Sequence, residues 1–574
     1  MRITRTLAVA SSAALLVAVA ACGGSDDDTT QVDKLSAEGV PVNAETLPMP
    51  EQGEPYNNPQ PRENVQDGGT LTLPIDNLGP NFNGMNVDGN SVATAELQMW
   101  TQPALWDFDV KGNPTPNPNY LESVELVDKS PETVKYTVNP DAQWNDGTPI
   151  DWRSFKTTWI TQKTASGKYN SASTVGYDSI GSVEKGEHDN EVIVTFKEDF
   201  YPYEMVFPQL LHPKNIDSDY YKTGWLNNID NDVLSGPYVV DELSKDSLTL
   251  EPNPDWWGPE PKLDAVEYQQ MEPSASINAF QNGQIDAVDV ETEDRLQQIQ
   301  SMDDAVIRRS FDKTTTVYTF GQDSELFKDP AAREAFVVGT DREQLAQIAF
   351  QGLDWEEETP NSSQIFPWQD GYEDNLGDLG DYDPDRANEI LDEAGWTMGD
   401  DGYREKDGQV AEFTYVNFGD DPVAEATARA QQQMAEEIGL KMNIDNRPVA
   451  DFATTLTDRD FDVVKMGWSS SDPYGWVWSC QILCEDSASN YSTLGSPEID
   501  EKLKESATIE DPAKAVEVMN EGEQEALALV GTFPLYNGPK MEAAKEGLAN
   551  YAGTSNGGLA GFMLPHAEDI GWQK

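Results

Sequence analysis

The second half of the chain alternates predicted helices with predicted strands, and this alternation constrains the fold more than any other feature of the sequence. Apolar residues recur at helical spacing in three segments, and short apolar runs lie between them. The predicted helices cover 329–350, 385–394 and 422–438, and the predicted strands cover 413–416 and 441–444. Two of the helices begin at Asp-Pro pairs, Asp383-Pro384 and Asp421-Pro422, and end at a glycine, Gly395 and Gly439. The pattern predicts an α/β lobe.

The first half of the chain is richer in predicted strands. A strand at 70–74 and a helix at 91–105 open the folded region, and a second helix is expected at 151–161. Apolar and polar residues alternate in three further segments that read as half-buried strands, at 124–127, 134–138 and 192–196. Because 574 residues are too many for one compact core, we expect two to four domains.

The start of the chain has the layout of a secretion signal. Arg2 and Arg5 precede an uncharged run over 7–21, which is shorter than the roughly 20 apolar residues that cross a membrane. Small residues then precede Cys22, and the string resembles the bacterial lipobox, in which the cysteine sulfur receives diacylglycerol. We expect 1–21 to be removed and Cys22 to anchor the protein extracytoplasmically, on the outer face of the plasma membrane. An ordinary signal peptide with a chance cysteine is the alternative.

Residues 22–66 are rich in Asp, Glu, Pro, Asn and Gln and have no sustained apolar periodicity. Such a composition predicts a disordered acidic tether that lifts the folded part off the membrane.

The chain has 38 basic and 103 acidic residues, which gives a formal net charge of −65 spread along its length. Nucleic acid and anionic lipid surfaces are poor partners for such a chain on electrostatic grounds. Cationic ligands would be attracted from a distance. A solvated surface adapted to salt or to an exposed location is the alternative explanation of the acidic excess.

If Cys22 carries a lipid, the remaining cysteines are Cys480 and Cys484, in a compartment that permits disulfides. We expect them to pair, although their spacing of four suits either a tight oxidised loop or one helical turn. A metal site would need further Cys or His ligands, and the three histidines lie far away in sequence, so we expect none.

The sequence lacks the strongest catalytic signatures. It has no G-x-S-x-G elbow, no phosphate loop, no H-E-x-x-H and no G-x-G-x-x-G after a strand. The run 230–232 hints at a calcium loop but lacks the required glycine and terminal Glu, so we interpret it as a solvated turn. We expect neither enzymatic activity nor a cofactor.

Several short sequence motifs occur, between about Gly68 and the C-terminus, in the same order as in a known protein family. In the first half they are Trp144-Asn145-Asp146-Gly147-Thr148, Ser235-Gly236-Pro237-Tyr238, Asn253-Pro254-Asp255-Trp256-Trp257-Gly258 and Ala279-Phe280. In the second half they are Phe327 with Asp329 and Arg333, Asp341-Arg342, Tyr382-Asp383-Pro384, Gly467-Trp468, Asp472-Pro473 and Asn490-Tyr491. Together they resemble family 5 of the extracytoplasmic solute-binding proteins, the oligopeptide- and dipeptide-binding lipoproteins of ABC importers, and indicate an actinobacterial source.

The resemblance implies an α/β, periplasmic-binding-protein-like type II fold, with two lobes joined by a hinge and an extra subdomain in the first lobe. Lobe I would consist of 67–311 and 533–574, with a strand-rich subdomain at about 110–200, and lobe II would be 312–532. A solute would be enclosed where the lobes meet.

The ligand-facing candidates mix aromatic faces, hydroxyls and one carboxylate: Trp468, Ser469, Ser470, Ser471, Asp472, Tyr474 and Trp476. Asp472 either pairs with a ligand ammonium or caps a turn. In peptide-binding relatives an Asp soon after the Gly-Trp pair holds the peptide amino terminus. The three intervening serines depart from that pattern and leave peptide specificity open. Asn81 and Phe82 resemble the other cleft-lining loop of the family, with burial in the core as the alternative.

The resemblance implies a monomeric lipoprotein that captures a peptide or peptide-like solute and delivers it to an ABC permease with its ATPase subunits. The main alternative is an accessory or regulatory envelope lipoprotein that uses the same fold to bind a lipid or a protein partner. An extracellular hydrolase is the least favoured alternative.

Overall fold

The computed structural model describes residues 58–108, 114–164, 167–312, 314–353, 355, 358–367, 369–469, 477, 479–551 and 566–574. All of them belong to one compact unit, Ser36–Lys574. The predicted signal peptide, Cys22 and most of the predicted tether lie outside the described residues. None of the helices in the described ranges is long and apolar enough to cross a membrane.

The described residues form helices and strands throughout. The strands are β1 (Thr70–Ile75), β2 (Trp106–Phe108), β3 (Pro114–Pro116), β4 (Leu121–Lys129), β5 (Glu132–Val138), β6 (Ile180–Lys185), β7 (Glu191–Phe196), β8 (Tyr238–Leu243), β9 (Ser247–Pro252), β10 (Ala265–Gln270), β11 (Ala287–Asp289), β12 (Ala305–Phe311), β13 (Thr314–Phe320), β14 (Thr397–Met398), β15 (Arg404–Lys406), β16 (Gln409–Val410), β17 (Glu412–Phe418), β18 (Lys441–Arg447), β19 (Val463–Ser469), β20 (Thr532–Tyr536), β21 (Pro539–Lys545), β22 (Leu548–Ala549) and β23 (Gly571–Trp572). The helices are α1 (Val92–Thr101), α2 (Trp152–Gln162), α3 (Ser218–Thr223), α4 (Pro273–Gln281), α5 (Glu293–Ile299), α6 (Pro330–Val338), α7 (Arg342–Ala349), α8 (Pro384–Glu393), α9 (Pro422–Glu437), α10 (Phe452–Asp458), α11 (Ser479–Leu483), α12 (Pro497–Ser506) and α13 (Pro512–Leu527).

The second half is built on a mixed five-stranded sheet of order β18-β17-β19-β13-β20. β17 runs parallel to β18 and β19, whereas β13 runs antiparallel to β19 and β20. Helices α6 to α9 pack against this sheet over a core that includes Tyr318, Phe336 and Phe413. Asp383 and Asp421 cap α8 and α9 as predicted, because each side chain accepts a backbone N–H of the first turn. The predicted α/β lobe is confirmed.

The single helix predicted at 329–350 is wrong, since the segment forms two helices. Gly339 ends α6, and Asp341 then caps α7 by accepting the N–H of Gln344 at 2.9 Å. The Thr340 hydroxyl donates to the carbonyl of Phe336 at 2.8 Å and satisfies one of the free carbonyls at the end of α6.

The first half contains an antiparallel sheet of order β4-β5-β7-β6 and a sheet of order β1-β10-β9-β8, in which β1 and β10 are parallel. The strands predicted at 124–127, 134–138 and 192–196 fall within β4, β5 and β7. Helix α1 ends at Thr101, before the predicted 105, because Gln102 precedes Pro103 and a residue before proline is disfavoured in helical conformation.

The chain is already packed before the predicted end of the tether. Gln60 and Val65 are buried, and the N–H of Gln66 donates to the carbonyl of Trp572 at 2.8 Å. These contacts join the start of the folded region to the end of the chain. Composition alone could not reveal them, because they depend on a partner about 500 residues away in sequence.

The chain passes between two sheets at two places. β12 and β21 belong to one sheet, and the adjoining β13 and β20 belong to the five-stranded sheet. The first crossing lies between Phe311 and Thr314, and the second lies between Tyr536 and Pro539. The division into lobes at these positions stays a prediction.

Candidate functional site

A cavity of about 500 Å³, which we call the main cavity, is enclosed by segments that lie far apart in sequence. It is lined chiefly by apolar and uncharged polar side chains, and its only charged lining residues in the described part of the chain are Asp76 and Asp88. The residues with larger side chains that line it are Asn77, Asn81, Met85, Val87, Val92, Gln98, Gln162, Tyr177, Gln209, Gln364, Phe366, Val449, Phe452, Leu456, Met466, Trp468, Gln481, Ile482 and Tyr491. Such a wall can contact apolar groups and satisfy neutral polar groups.

One wall of the main cavity is an aromatic platform. Trp468 stands near the end of β19 and stacks on Tyr491, with ring centroids 5.9 Å apart and an interplanar angle of 13°. Burial, together with the Asp88 carboxylate, raises the pKa of Tyr491 to about 12, so its hydroxyl stays a neutral donor. β19 is held by β13, where the Thr314 and Ser469 hydroxyls lie 2.6 Å apart. Trp468 and Ser469 therefore both line the main cavity on a paired strand.

The loop after β1 supplies another part of the wall of the main cavity. Asn81 lines the main cavity, and its side-chain oxygen accepts the N–H of Asn83 at 3.0 Å. Phe82 points instead into the hydrophobic core with Leu71 and Trp100 and is 3% exposed. The structure thus separates the two neighbours, with Asn81 in the cavity wall and Phe82 in the core.

A further wall is formed by the loop 362–366, which a buried carboxylate holds in place. Glu523 of α13 is fully buried and accepts hydrogen bonds from the Ser362 hydroxyl at 2.6 Å and from the N–H and hydroxyl of Ser363 at 2.7 Å each. The amide of Asn375 donates to it at 2.6 Å. Because Ser363 and Gln364 line the main cavity, Glu523 positions part of its wall without touching it.

A second cavity of about 420 Å³, which we call the acidic chamber, adjoins the main cavity and shares Asp76, Val92 and Ala93 with it. Its charged lining residues are Asp76, Glu96, Asp289, Glu291, Asp421, Arg295 and Lys465. Five acidic and two basic side chains therefore line the acidic chamber.

Burial and the neighbouring charges shift the pKa values of the carboxyl groups that line the acidic chamber. Burial and repulsion from Asp289 raise the pKa of Glu96 to about 8. Burial opposes ionisation of Asp289, but Lys540 at 2.8 Å outweighs it and lowers the pKa of that carboxyl. Lys540 also lies 2.6 Å from Glu291, whose pKa burial nevertheless raises to about 7.

Lys465 faces the acidic chamber from β19. Its ammonium donates to the Thr427 hydroxyl at 3.0 Å, and burial lowers its pKa to about 8 despite the nearby Asp421. A buried ammonium without a contacting carboxylate can accept an anionic ligand group.

The structure joins Cys480 to Cys484 by a disulfide across α11, with Cα atoms 4.6 Å apart. Gln481 and Ile482 of the same helix line the main cavity. The remaining predicted ligand residues, Ser470, Ser471, Asp472, Tyr474 and Trp476, lie outside the described residues. Across the described ranges no group of three or more His, Cys, Asp or Glu side chains is arranged to hold a metal ion.

Sequence reasoning missed most of the cavity wall. Phe452, Gln364, Lys465 and Glu96 carried no signal as ligand residues, since each lies in a different element and only the packing brings them together. Tyr491 belongs to the Asn490-Tyr491 motif of the family resemblance, and this motif was the one sequence signal that could have placed it at the cavity.

Comparison with known proteins agrees with this geometry. The model of the bacterial extracellular solute-binding proteins, family 5, middle region, matches residues 115–488. The oligopeptide-binding protein OppA of Mycobacterium tuberculosis is 31% identical over 518 residues, which covers 88% of this chain and 87% of that protein.

Two solved structures share the fold. The periplasmic EDTA-binding protein EppA superposes with a TM-score of 0.79 at 24% identity, over 90% of this chain and 98% of its own. The oligopeptide-binding protein AppA of Bacillus subtilis, in complex with a nonapeptide, superposes with a TM-score of 0.77 at 22% identity, over 89% of this chain and all of its own. These likenesses confirm the predicted periplasmic-binding-protein-like type II fold.

Proposed function

The chain belongs to family 5 of the bacterial extracellular solute-binding proteins, and we propose that it captures an oligopeptide in the main cavity and delivers it to an ABC permease. Members of this family bind solutes for ABC transporters and are not enzymes. The protein therefore acts by binding and release.

The main cavity is the observation that carries the peptide assignment. Its volume of about 500 Å³ lies within the range of small-ligand sites. Amide and hydroxyl side chains such as Asn81, Gln364 and Ser469 can satisfy peptide N–H and C=O groups, and Trp468 offers a flat face to an apolar side chain. The similarity to an oligopeptide-binding relative over most of both chains supports the same ligand class.

Two further contacts would fix the ends of a peptide. Lys465 would hold a ligand carboxylate, because its buried ammonium has only the Thr427 hydroxyl as a hydrogen-bond partner among the described residues. Asp472 would pair with the ligand ammonium, which is one of the two roles that the sequence leaves open for it. Ser470, Ser471, Tyr474 and Trp476 would contribute to the same wall.

A lipid on Cys22 would anchor the protein outside the plasma membrane, and an acidic tether would link the anchor to the folded part. The arginines, the uncharged run and the small residues before Cys22 support this assignment. Anchoring beside the permease would raise the effective concentration of the loaded protein. Replacing Cys22 with Ser should release the protein into the medium and abolish labelling with a radioactive fatty acid, whereas Cys480→Ser should leave labelling intact. Retention of the label in the Cys22 variant would refute the anchor.

Thermal unfolding in the presence of defined peptides tests the ligand class. A peptide at 100 times its dissociation constant should stabilise the protein by about 2.7 kcal/mol. We expect stabilisation by oligopeptides and none by sugars or free amino acids. Stabilisation by envelope lipid headgroups, with none by any peptide, would instead favour the accessory lipoprotein.

A further inference from the structure

The acidic chamber has a charge imbalance that the fold itself does not resolve. Lys540 bridges Asp289 and Glu291, at 2.8 and 2.6 Å, but neither Asp76 nor Glu96 forms an ion pair with any residue of the described ranges. Arg295 is turned to the Ser276 hydroxyl at 2.8 Å. The Asp76 carboxylate therefore remains without an ion-pair partner on the wall that the acidic chamber shares with the main cavity, and Glu96 is a second acidic group that lines the acidic chamber alone.

The acidic excess of the whole chain does not account for this arrangement. Carboxylates on an open surface are solvated by water and repel one another little, so adaptation to salt requires only exposed groups. Asp76, although exposed, and the half-buried Glu96 instead face the acidic chamber, where desolvation and the charge of Asp289 raise the pKa of both carboxyl groups. Because its pKa lies near 8, Glu96 is mostly protonated in the empty chamber at neutral pH, and a cation bound beside it would favour the ionised form.

The location of these carboxylates connects them to the ligand. Asp76 follows β1 directly and lines both cavities, and Glu96 lies on α1, whose first residues Val92 and Ala93 also line both. The main cavity has no Lys, Arg or His in its described lining. A side chain of a peptide bound in the main cavity could therefore enter the acidic chamber and meet carboxylates with no competing cation on the shared wall.

We propose that the acidic chamber is the subsite for a positively charged side chain, a guanidinium or an alkylammonium, and that it makes the protein selective for cationic peptides. This inference rests on the proposed function, because the chamber would act on a peptide held in the main cavity. A guanidinium suits the site best, since its donors can bridge two carboxylates at once.

Two matched series of hexapeptides test the inference. One series carries a single Arg at each position in turn, and the other carries citrulline, which has nearly the same shape but no charge. Calorimetry should show at least one position at which the Arg peptide binds tenfold or more tightly than its citrulline partner. In Asp76→Asn and Glu96→Gln this preference should fall below threefold, while affinity for the citrulline peptide stays within twofold of the wild-type value.

Glu389→Gln is the matched control, because Glu389 is an exposed carboxylate of α8 outside both cavities. This variant changes the net charge equally and should keep the full preference for Arg. Repeating the titrations in about 1 M salt, where the Debye length is about 3 Å, removes long-range attraction by the acidic surface. The wild-type preference should persist there in reduced form.

The outcomes separate the inference from the proposed function. If both series bind equally well at every position, or if the Asp76 and Glu96 variants keep the preference, the cationic subsite is refuted and peptide binding stands. If neither series binds, peptide capture and the subsite are refuted together. Circular dichroism and thermal unfolding of each variant show whether it is folded, and loss of the Arg preference with retained citrulline binding cannot arise from misfolding.

Discussion

Glu523 provides the sharpest test of how the main cavity is built. Its carboxylate is fully buried and accepts four hydrogen bonds, from the Ser362 hydroxyl, the N–H and hydroxyl of Ser363, and the amide of Asn375. Glu523→Gln keeps the shape of the side chain but replaces one acceptor oxygen with a donor. The perturbation therefore changes hydrogen bonding and charge with almost no change in volume.

The loss of stability in Glu523→Gln depends on which of the hydrogen-bond donors to this side chain can reorient. The two serine hydroxyls can rotate, but the N–H of Ser363 is fixed by the backbone. The Asn375 amide is fixed as well, because it also donates to the Asn520 side chain at 2.9 Å. Either orientation of the introduced carboxamide leaves one of these two donors facing another donor. A buried donor without an acceptor costs about 1–3 kcal/mol, so we expect Glu523→Gln to lower the free energy of unfolding by that amount.

Urea titration followed by tryptophan fluorescence measures this difference, and Glu525→Gln is the matched control. Glu525 lies two residues farther along α13, is exposed, and pairs with Lys502 at 2.8 Å. An exposed pair of this kind contributes at most about 1 kcal/mol. Peptide affinity should also fall in the Glu523 variant, since Ser363 and Gln364 line the main cavity. Equal stability of the two variants would refute the role assigned to Glu523.

Three further outcomes are expected. Trp468→Ala removes the face stacked on Tyr491 and should weaken peptide binding by about 2 kcal/mol, measured by calorimetry. Because burial lowers the pKa of Lys465 to about 8, affinity for a peptide with a free carboxyl terminus should fall as the pH rises through that value, and Lys465→Met should remove the dependence. Hydrogen bonds to Asp107 and Glu568 raise the pKa of His566 to about 10. Protonated His566 should therefore stabilise the fold fully below its ordinary pKa of about 6.5 and progressively less as the pH rises towards 10, and melting curves of His566→Gln should lose this slope.

Each of these outcomes can be contradicted. Unchanged affinity in the Trp468 variant would remove the aromatic platform from the binding site. A pH dependence that survives in the Lys465 variant would assign it to another group. A parallel pH profile for wild type and the His566 variant would show that the histidine is not coupled to folding.

Local chemistry explains which elements the sequence could predict. Asp383-Pro384 and Asp421-Pro422 specify helix starts by themselves, because the cap and the fixed φ act within one turn. The strands near 134–138 and 192–196 followed from alternation, since one face of each is buried. The helix predicted at 329–350 was wrong because its apolar spacing continued through Gly339 and concealed the cap at Asp341.

The α/β class, the solute-binding family and Trp468 as a candidate ligand contact could be inferred without a structure, since they depend on local order and on strings of neighbouring residues. The three-dimensional packing was needed to show that Asn81 faces the main cavity while Phe82 enters the core, because successive side chains in a loop have no fixed periodicity. It likewise brought Asp76, Glu96 and Asp289 into one chamber. Their charges interact through space, and the distances between them depend on the packing of three separate elements.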